Sequence, residues 1–101
     1  SASDDAALHI RRVIGLPGET VQITGGRILI KGVVYNEGKD FPMITNPGLA
    51  ATAVTLESGE YFVLGDNRNN SEDSRYADIG MVRKRYIVGK IWFTCSPFEK
   101  L

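Results

Sequence analysis

Apolar and polar residues alternate along most of this chain with the two-residue period of extended backbone. Residues 8–14 predict a first strand, ended by Gly15-Leu16-Pro17-Gly18, where Pro17 cannot donate to a ladder and the glycines permit a sharp turn. Residues 20–24 predict a second strand rich in β-branched side chains. Gly25-Gly26 then reads as a two-residue hairpin turn. Residues 27–31 return, Lys31-Gly32 turns again, and 33–36 add a short strand, giving a three-stranded meander. From 37 to 57 the periodicity fails, because Gly38, Pro42, Pro47 and Gly48 interrupt it. This stretch predicts a long surface excursion with a short strand near 51–56. Residues 59–64 form the next strong strand and run straight into a polar loop through residue 78. A single turn of helix is expected at 78–82, and 87–95 is apolar enough for a central closing strand. No helical stripe exceeds about two turns, and there is no internal repeat or low-complexity segment. The class is therefore all-β, a small curled antiparallel barrel or coiled sheet with one long irregular insertion.

Composition narrows the partners more than the fold. The 101 residues carry 12 Lys plus Arg against 12 Asp plus Glu, so no net field draws nucleic acid or an anionic membrane. Cys95 is the lone cysteine, so it closes no internal disulfide and is read as a small buried hydrophobe. No apolar run approaches the roughly 18 residues of a membrane-spanning helix, and no secretory leader is evident. Residues 1–7, Ser1-Ala2-Ser3-Asp4-Asp5-Ala6-Ala7, read as a trimmed end or a linker, which leaves room for an anchor upstream. No zinc spacing, phosphate loop or nucleotide fingerprint is present, so no metal or cofactor is expected.

The candidate chemistry lies in Gly65-Asp66-Asn67-Arg68-Asn69-Asn70-Ser71-Glu72-Asp73-Ser74-Arg75. Asn, Asp and Ser favour turns, so a solvated loop is the plain reading. Yet the loop follows an apolar strand directly and its charges alternate in sign, an arrangement suited to holding a site on a rigid scaffold. Arginine binds carboxylates at two points, so Asp66, Asp73, Arg68 and Arg75 are expected to cross-link the loop and fix Ser71. Trp92, Phe93 and Phe98 are expected to be core or edge packing. Arg83-Lys84-Arg85 reads as a solvated turn, and Asp4-Asp5 lacks partners for a metal.

Two segments carry a family resemblance. Arg12-Val13-Ile14-Gly15-Leu16-Pro17-Gly18 and the whole of Gly65 to Arg75 resemble, in the same order, two motifs of the type I signal peptidases. Val88-Gly89-Lys90-Ile91 resembles that family's closing strand, and the likeness runs over about residues 8–98. The resemblance implies a membrane-anchored serine endopeptidase of the outer face of the bacterial cytoplasmic membrane, which removes signal peptides after an Ala-x-Ala type sequence. It implies a Ser nucleophile and a Lys general base, a chemistry that works when burial and lack of a counter-ion depress the lysine pKa. It places the base-orienting serine at Ser71. The site-bracing residues fall at Arg12, Asp66, Asn67, Arg68, Asp73, Ser74 and Arg75, and the variable insertion falls at about 37–57 of a domain spanning 8–101.

The chain departs from the family at both bond-making residues. Arg11 stands at the position of the Lys base, and a guanidinium stays protonated at any workable pH. The nucleophile lies upstream in the family, in a Ser-Met-x-Pro context. No such segment occurs here, and Ser1 and Ser3 are too near Arg11 to supply it. Three explanations compete: a natural paralogue that lost catalysis, which is favoured; an engineered inactivation; or a shifted register in which another base, such as His9 on the same strand face, acts. Two functions follow. One is a part of a signal peptide-cleaving enzyme, inactive as it stands. The other is a non-catalytic binding or chaperone protein for surface-protein or pilus assembly. A self-cleaving repressor-type relative is less favoured, because the Gly-Asp-Asn-Arg motif is not that family's. The expected partner is a signal peptide or preprotein segment, and an edge left bare by absent strands is expected to promote a homodimer.

Overall fold

The computed structural model describes residues 8–38, 40–76, 80–83 and 87–95, with the backbone alone for 8, 9 and 93–95. The expectations for residues 1–7, Lys84, Arg85 and Phe98, and for the side chains of His9, Phe93 and Cys95, lie outside this range. The strands are β1 (Leu8–Gly15), β2 (Thr20–Thr24), β3 (Arg27–Ile30), β4 (Val33–Val34), β5 (Val54–Thr55), β6 (Glu60–Leu64), β7 (Val82–Arg83), β8 (Ile87–Val88) and β9 (Ile91–Cys95). One four-residue 3-10 helix, Gly48–Ala51, is the one helical element among the described residues. All strand pairs are antiparallel and fall into two sheets, ordered β7-β6-β1-β9-β8 and β4-β3-β2-β5. The architecture is all-β as expected, and it is a pair of coiled sheets rather than a closed barrel.

The β2–β3 hairpin turns at Gly25 and Gly26, whose φ angles of 59° and 78° suit a turn that only glycine enters without strain. The closing strand differs from expectation. Residues 87–95 are two strands, with Gly89 at φ 62° in the turn and Ile87 opposite Trp92. A left-handed glycine between two apolar runs folds the segment back on itself where apolarity alone suggested continuity. The helical turn expected at 78–82 falls partly outside the described residues, and its last residue, Val82, is in β7.

β1 joins the two sheets. Val13 pairs with Val63 and Gly15 with Phe62, so Ile14 is an extra residue, a β-bulge. Val13 packs with Val63, Val82 and Trp92 on one face of the first sheet, while Ile14 joins Phe62 and Leu64 on the other. That second face meets Val21, Ile23, Ile28, Ile44, Ala50 and Leu56 to form the main core. A Cβ on Gly15 would stand 2.5 Å from Val21 Cγ2 and 2.8 Å from Leu56 Cδ1, so the sheets close together only because that side chain is absent. β6 is thus buried on both faces, which is why it reads as a continuous apolar run.

Candidate functional site

The site is built where β6 ends beside the middle of β1. Arg12 lies opposite Leu64, and β6 pairs with β1 only from Arg12 onward. The polar loop therefore leaves β6 beside Ile10 and Arg11. Successive β1 residues face opposite ways. Arg11 reaches the backbone of Glu72 with Nε donating to its carbonyl at 2.6 Å, and Arg12 reaches Asp66.

Asp73 is the hub of the loop. It is fully buried and accepts from Gly65 N–H at 3.0 Å, Ser71 Oγ at 2.7 Å, and Arg75 Nε and Nη2 at 2.8 and 2.9 Å. Arg75 N–H also donates to it at 3.2 Å. Burial by itself would raise the Asp73 pKa, but the hydrogen bonds from Arg75, Gly65 and Ser71 outweigh it and hold the carboxyl below its ordinary range. Ser74, also fully buried, accepts from Val63 N–H at 2.9 Å and returns its own N–H to the Val63 carbonyl at 3.1 Å. Both ends of the loop are thus tied to the strand it leaves.

Ser71 sits between these groups and Arg11. Its hydroxyl donates to Asp73 and accepts from Arg75 Nη2 at 3.2 Å. It makes no hydrogen bond to Arg11, yet the two share the space above Gly65. A Cβ there would lie 2.5 Å from Ser71 Oγ and 3.4 Å from Arg11 Cδ. Gly65 has no Cβ, and that opens the floor on which both side chains rest. Burial lowers the Arg11 pKa from its ordinary value, while the charges of Asp73 and Glu72 act against that shift.

The expected cross-linking within the loop is only partly found. Asp73 and Arg75 pair inside it, but the other two charges leave it. Asp66 pairs with Arg12 at two points, 3.0 and 2.9 Å. Arg68, 1% exposed, donates through Nη1 and Nη2 to both carboxylate oxygens of Glu37 at 2.8 and 2.6 Å and through Nε to the Gly65 carbonyl. Its guanidinium carbon lies 4.0 Å from the Phe41 ring centroid, and that of Arg12 lies 5.5 Å from the same ring. Asn67 is exposed on the cleft wall.

Sequence reasoning passed over the residues that hold the loop from outside. Glu37 and Phe41 belong to the 37–57 excursion, which is bonded to the loop at two further places. Asn69 accepts from Thr45 N–H and donates to the Met43 carbonyl, while Arg75 Nη1 donates to the Asn46 carbonyl and its own carbonyl accepts from Leu49 N–H. Gly48, at φ 56°, leaves room for the Arg75 backbone. The broken periodicity of 37–57 was the available signal, since an irregular stretch must find hydrogen-bond partners outside a ladder.

Between Arg11 and the loop lies an open cleft of about 630 Å³, lined by Ile10, Arg11, Asn67, Asn70, Ser71 and Tyr76 among others. Among the described residues no group of three His, Cys, Asp or Glu could hold a metal, and no helix is long and apolar enough to cross a membrane.

Residues 2–95 match the family described as signal peptidase, peptidase S26. Signal peptidase I of Leptolyngbya laminosa is 41% identical over 92 residues, covering 91% of this chain and 43% of that protein. Signal peptidase I T of Bacillus subtilis strain 168 is 36% identical over 100 residues, covering 92% and 51%. The crystal structure of a signal peptidase I from Enterococcus faecalis V583 superimposes with a TM-score of 0.57 at 36% identity, over 74% of each chain. The chain spans about half the length of the curated relatives it matches.

Proposed function

The chain belongs to the signal peptidase family, peptidase S26, and from that premise we propose that it is the β-rich part of a membrane-anchored, extracytoplasmic protein that takes signal peptides or preprotein segments into the Arg11 cleft. The observation that carries this reading is the loop itself. Gly65 to Arg75 closes around buried Asp73 and lays Ser71 beside the residue of β1 that follows Ile10.

In this reading Arg11 occupies the place of the general base and Ser71 that of its orienting hydroxyl. Arg12, Asp66, Asn67, Arg68, Asp73, Ser74 and Arg75 brace them. The chain by itself does not cleave, because its sequence contains no Ser-Met segment and because the Arg11 guanidinium does not release its proton. The depressed pKa at position 11 supports the assignment: that place desolvates a cation, which is what a lysine base requires.

The test is cleavage of a preprotein in detergent by the full-length protein and its Arg11→Lys variant. Cleavage by the variant alone identifies a silenced peptidase. Cleavage by the unaltered protein overturns the reading of Arg11. Failure of both favours a second reading, non-catalytic binding or chaperoning of surface or pilus proteins, for which Arg11 is the specific observation. The exposed edge strand β4, with Val33 68% and Val34 52% exposed, fits self-association, and a strictly monomeric species in sedimentation at high concentration would exclude it.

A further inference from the structure

We propose that the Arg11 cleft is a receptor for a free carboxylate, namely the C-terminal carboxylate of a peptide lying against β1. The inference rests on the peptide-cleft reading above and adds the chemical group that the cleft selects.

A guanidinium offers five N–H donors. Arg11 commits two of them, Nε to the Glu72 carbonyl at 2.6 Å and Nη1 to the Ile10 carbonyl at 2.8 Å. Three remain. Both acceptors are neutral, so they fix the plane of the group without neutralising its charge. The other three arginines around the loop each have a carboxylate of their own: Arg12 has Asp66, Arg68 has Glu37, and Arg75 has Asp73. Among the described residues Arg11 has no such ion pair. It is also the one of the four that lines the open cleft.

A half-buried cation with spare, oriented donors binds an incoming carboxylate by charge-assisted hydrogen bonds. Three features select a chain end. β6 pairs with β1 only from Arg12, so Ile10 and Arg11 border the cleft rather than a strand on that side, and an extended peptide has backbone to follow. Ile10, 54% exposed, offers an apolar contact to a terminal residue beside the guanidinium. Asp66 and Glu72 on the same walls disfavour a peptide with several acidic side chains, whereas one terminal carboxylate at Arg11 is held by the guanidinium against the repulsion of Glu72. A lysine at this position with a lowered pKa would lose its charge. The guanidinium keeps its charge, so the substitution turns a place suited to proton abstraction into one suited to holding a product-like acid.

The experiment is calorimetric binding of three short Ala-x-Ala peptides to the chain: the free acid, its C-terminal amide, and an amide carrying Glu as the last residue. The free acid is expected to bind about tenfold or more tightly than either amide, on the scale of a charge-assisted hydrogen bond. Arg11→Gln is expected to erase that preference, so that the free acid and the plain amide bind the variant equally. Should that variant fail to fold, the acid-over-amide preference of the unaltered chain must shrink as salt is raised. Equal binding of acid and plain amide overturns the carboxylate inference and leaves the peptide cleft standing. A Glu-ending amide as tight as the free acid overturns the selection of a chain end. If no peptide binds, the peptide-cleft reading falls and the inference falls with it.

Discussion

Arg68 and Glu37 form a two-point ion pair across 31 residues of sequence, at 2.8 and 2.6 Å, with Arg68 1% exposed. The pair ties the irregular excursion to the loop that carries Ser71. Phe41 lies against the same guanidinium, so the excursion is part of the scaffold of the cleft.

Removing one partner should therefore cost more than a surface ion pair would. Glu37→Gln leaves a buried guanidinium without its counter-charge, and about 3–5 kcal/mol of unfolding free energy should be lost. Replacing both with apolar residues, Arg68→Met with Glu37→Leu, should cost less than Glu37→Gln alone. Chemical denaturation of the three proteins checks this.

Gly65→Ala should disturb the cleft directly, because the new methyl would stand 2.5 Å from Ser71 Oγ. A cost of about 1–3 kcal/mol is expected from the forced shift. Gly18→Ala is the control. It meets nothing within 4 Å, and its φ of 86° carries only the left-handed backbone cost of about 1–2 kcal/mol. Amide and side-chain shifts of Ser71 and Arg11 in NMR spectra should move in the first variant and stay in the second.

Asp73 gives the fold an acid limit. Its carboxyl titrates below the ordinary range in the folded state, so it contributes stability that is fully present above the unfolded value of about 4. That contribution is lost as pH falls through the lower, folded value. Stability measured from pH 7 downward should fall most steeply in this acid window. Asp73→Asn, less stable at neutral pH, should show a flatter acid limb.

An Arg11→Lys variant should titrate below the ordinary lysine value of about 10.4, since the burial that lowers Arg11 acts on any cation there. Glu72 opposes the shift through its charge, so adding Glu72→Gln should lower the lysine further. The neutral amine then becomes populated as pH rises through that lowered value. Nitrogen NMR of the lysine side chain reads both effects, and an ordinary titration would show that this place does not desolvate a cation.

The strand pattern of 20–34 was legible in the sequence because each element there is local: alternation sets the faces, and Gly25-Gly26 sets the turn. The two motif segments likewise identify the family and the residues of the loop, since their chemistry is written in consecutive positions. Apolarity alone did not separate β8 from β9, because two apolar runs look the same whether or not a glycine folds one onto the other. Which charge meets which was also beyond the sequence. Arg68 has carboxylates within its own loop but pairs with Glu37, and Asp66 pairs with Arg12 on another strand. Such pairings depend on which backbone segments the two-sheet core brings together, at separations where spacing along the chain carries no geometric information. The sequence by itself determined an all-β member of its family with arginine at position 11. The tertiary structure decided that this arginine faces an open cleft with no carboxylate ion pair among the described residues, because the fold aims its donors at the backbone carbonyls of Glu72 and Ile10 while Asp66 and Asp73 pair with Arg12 and Arg75.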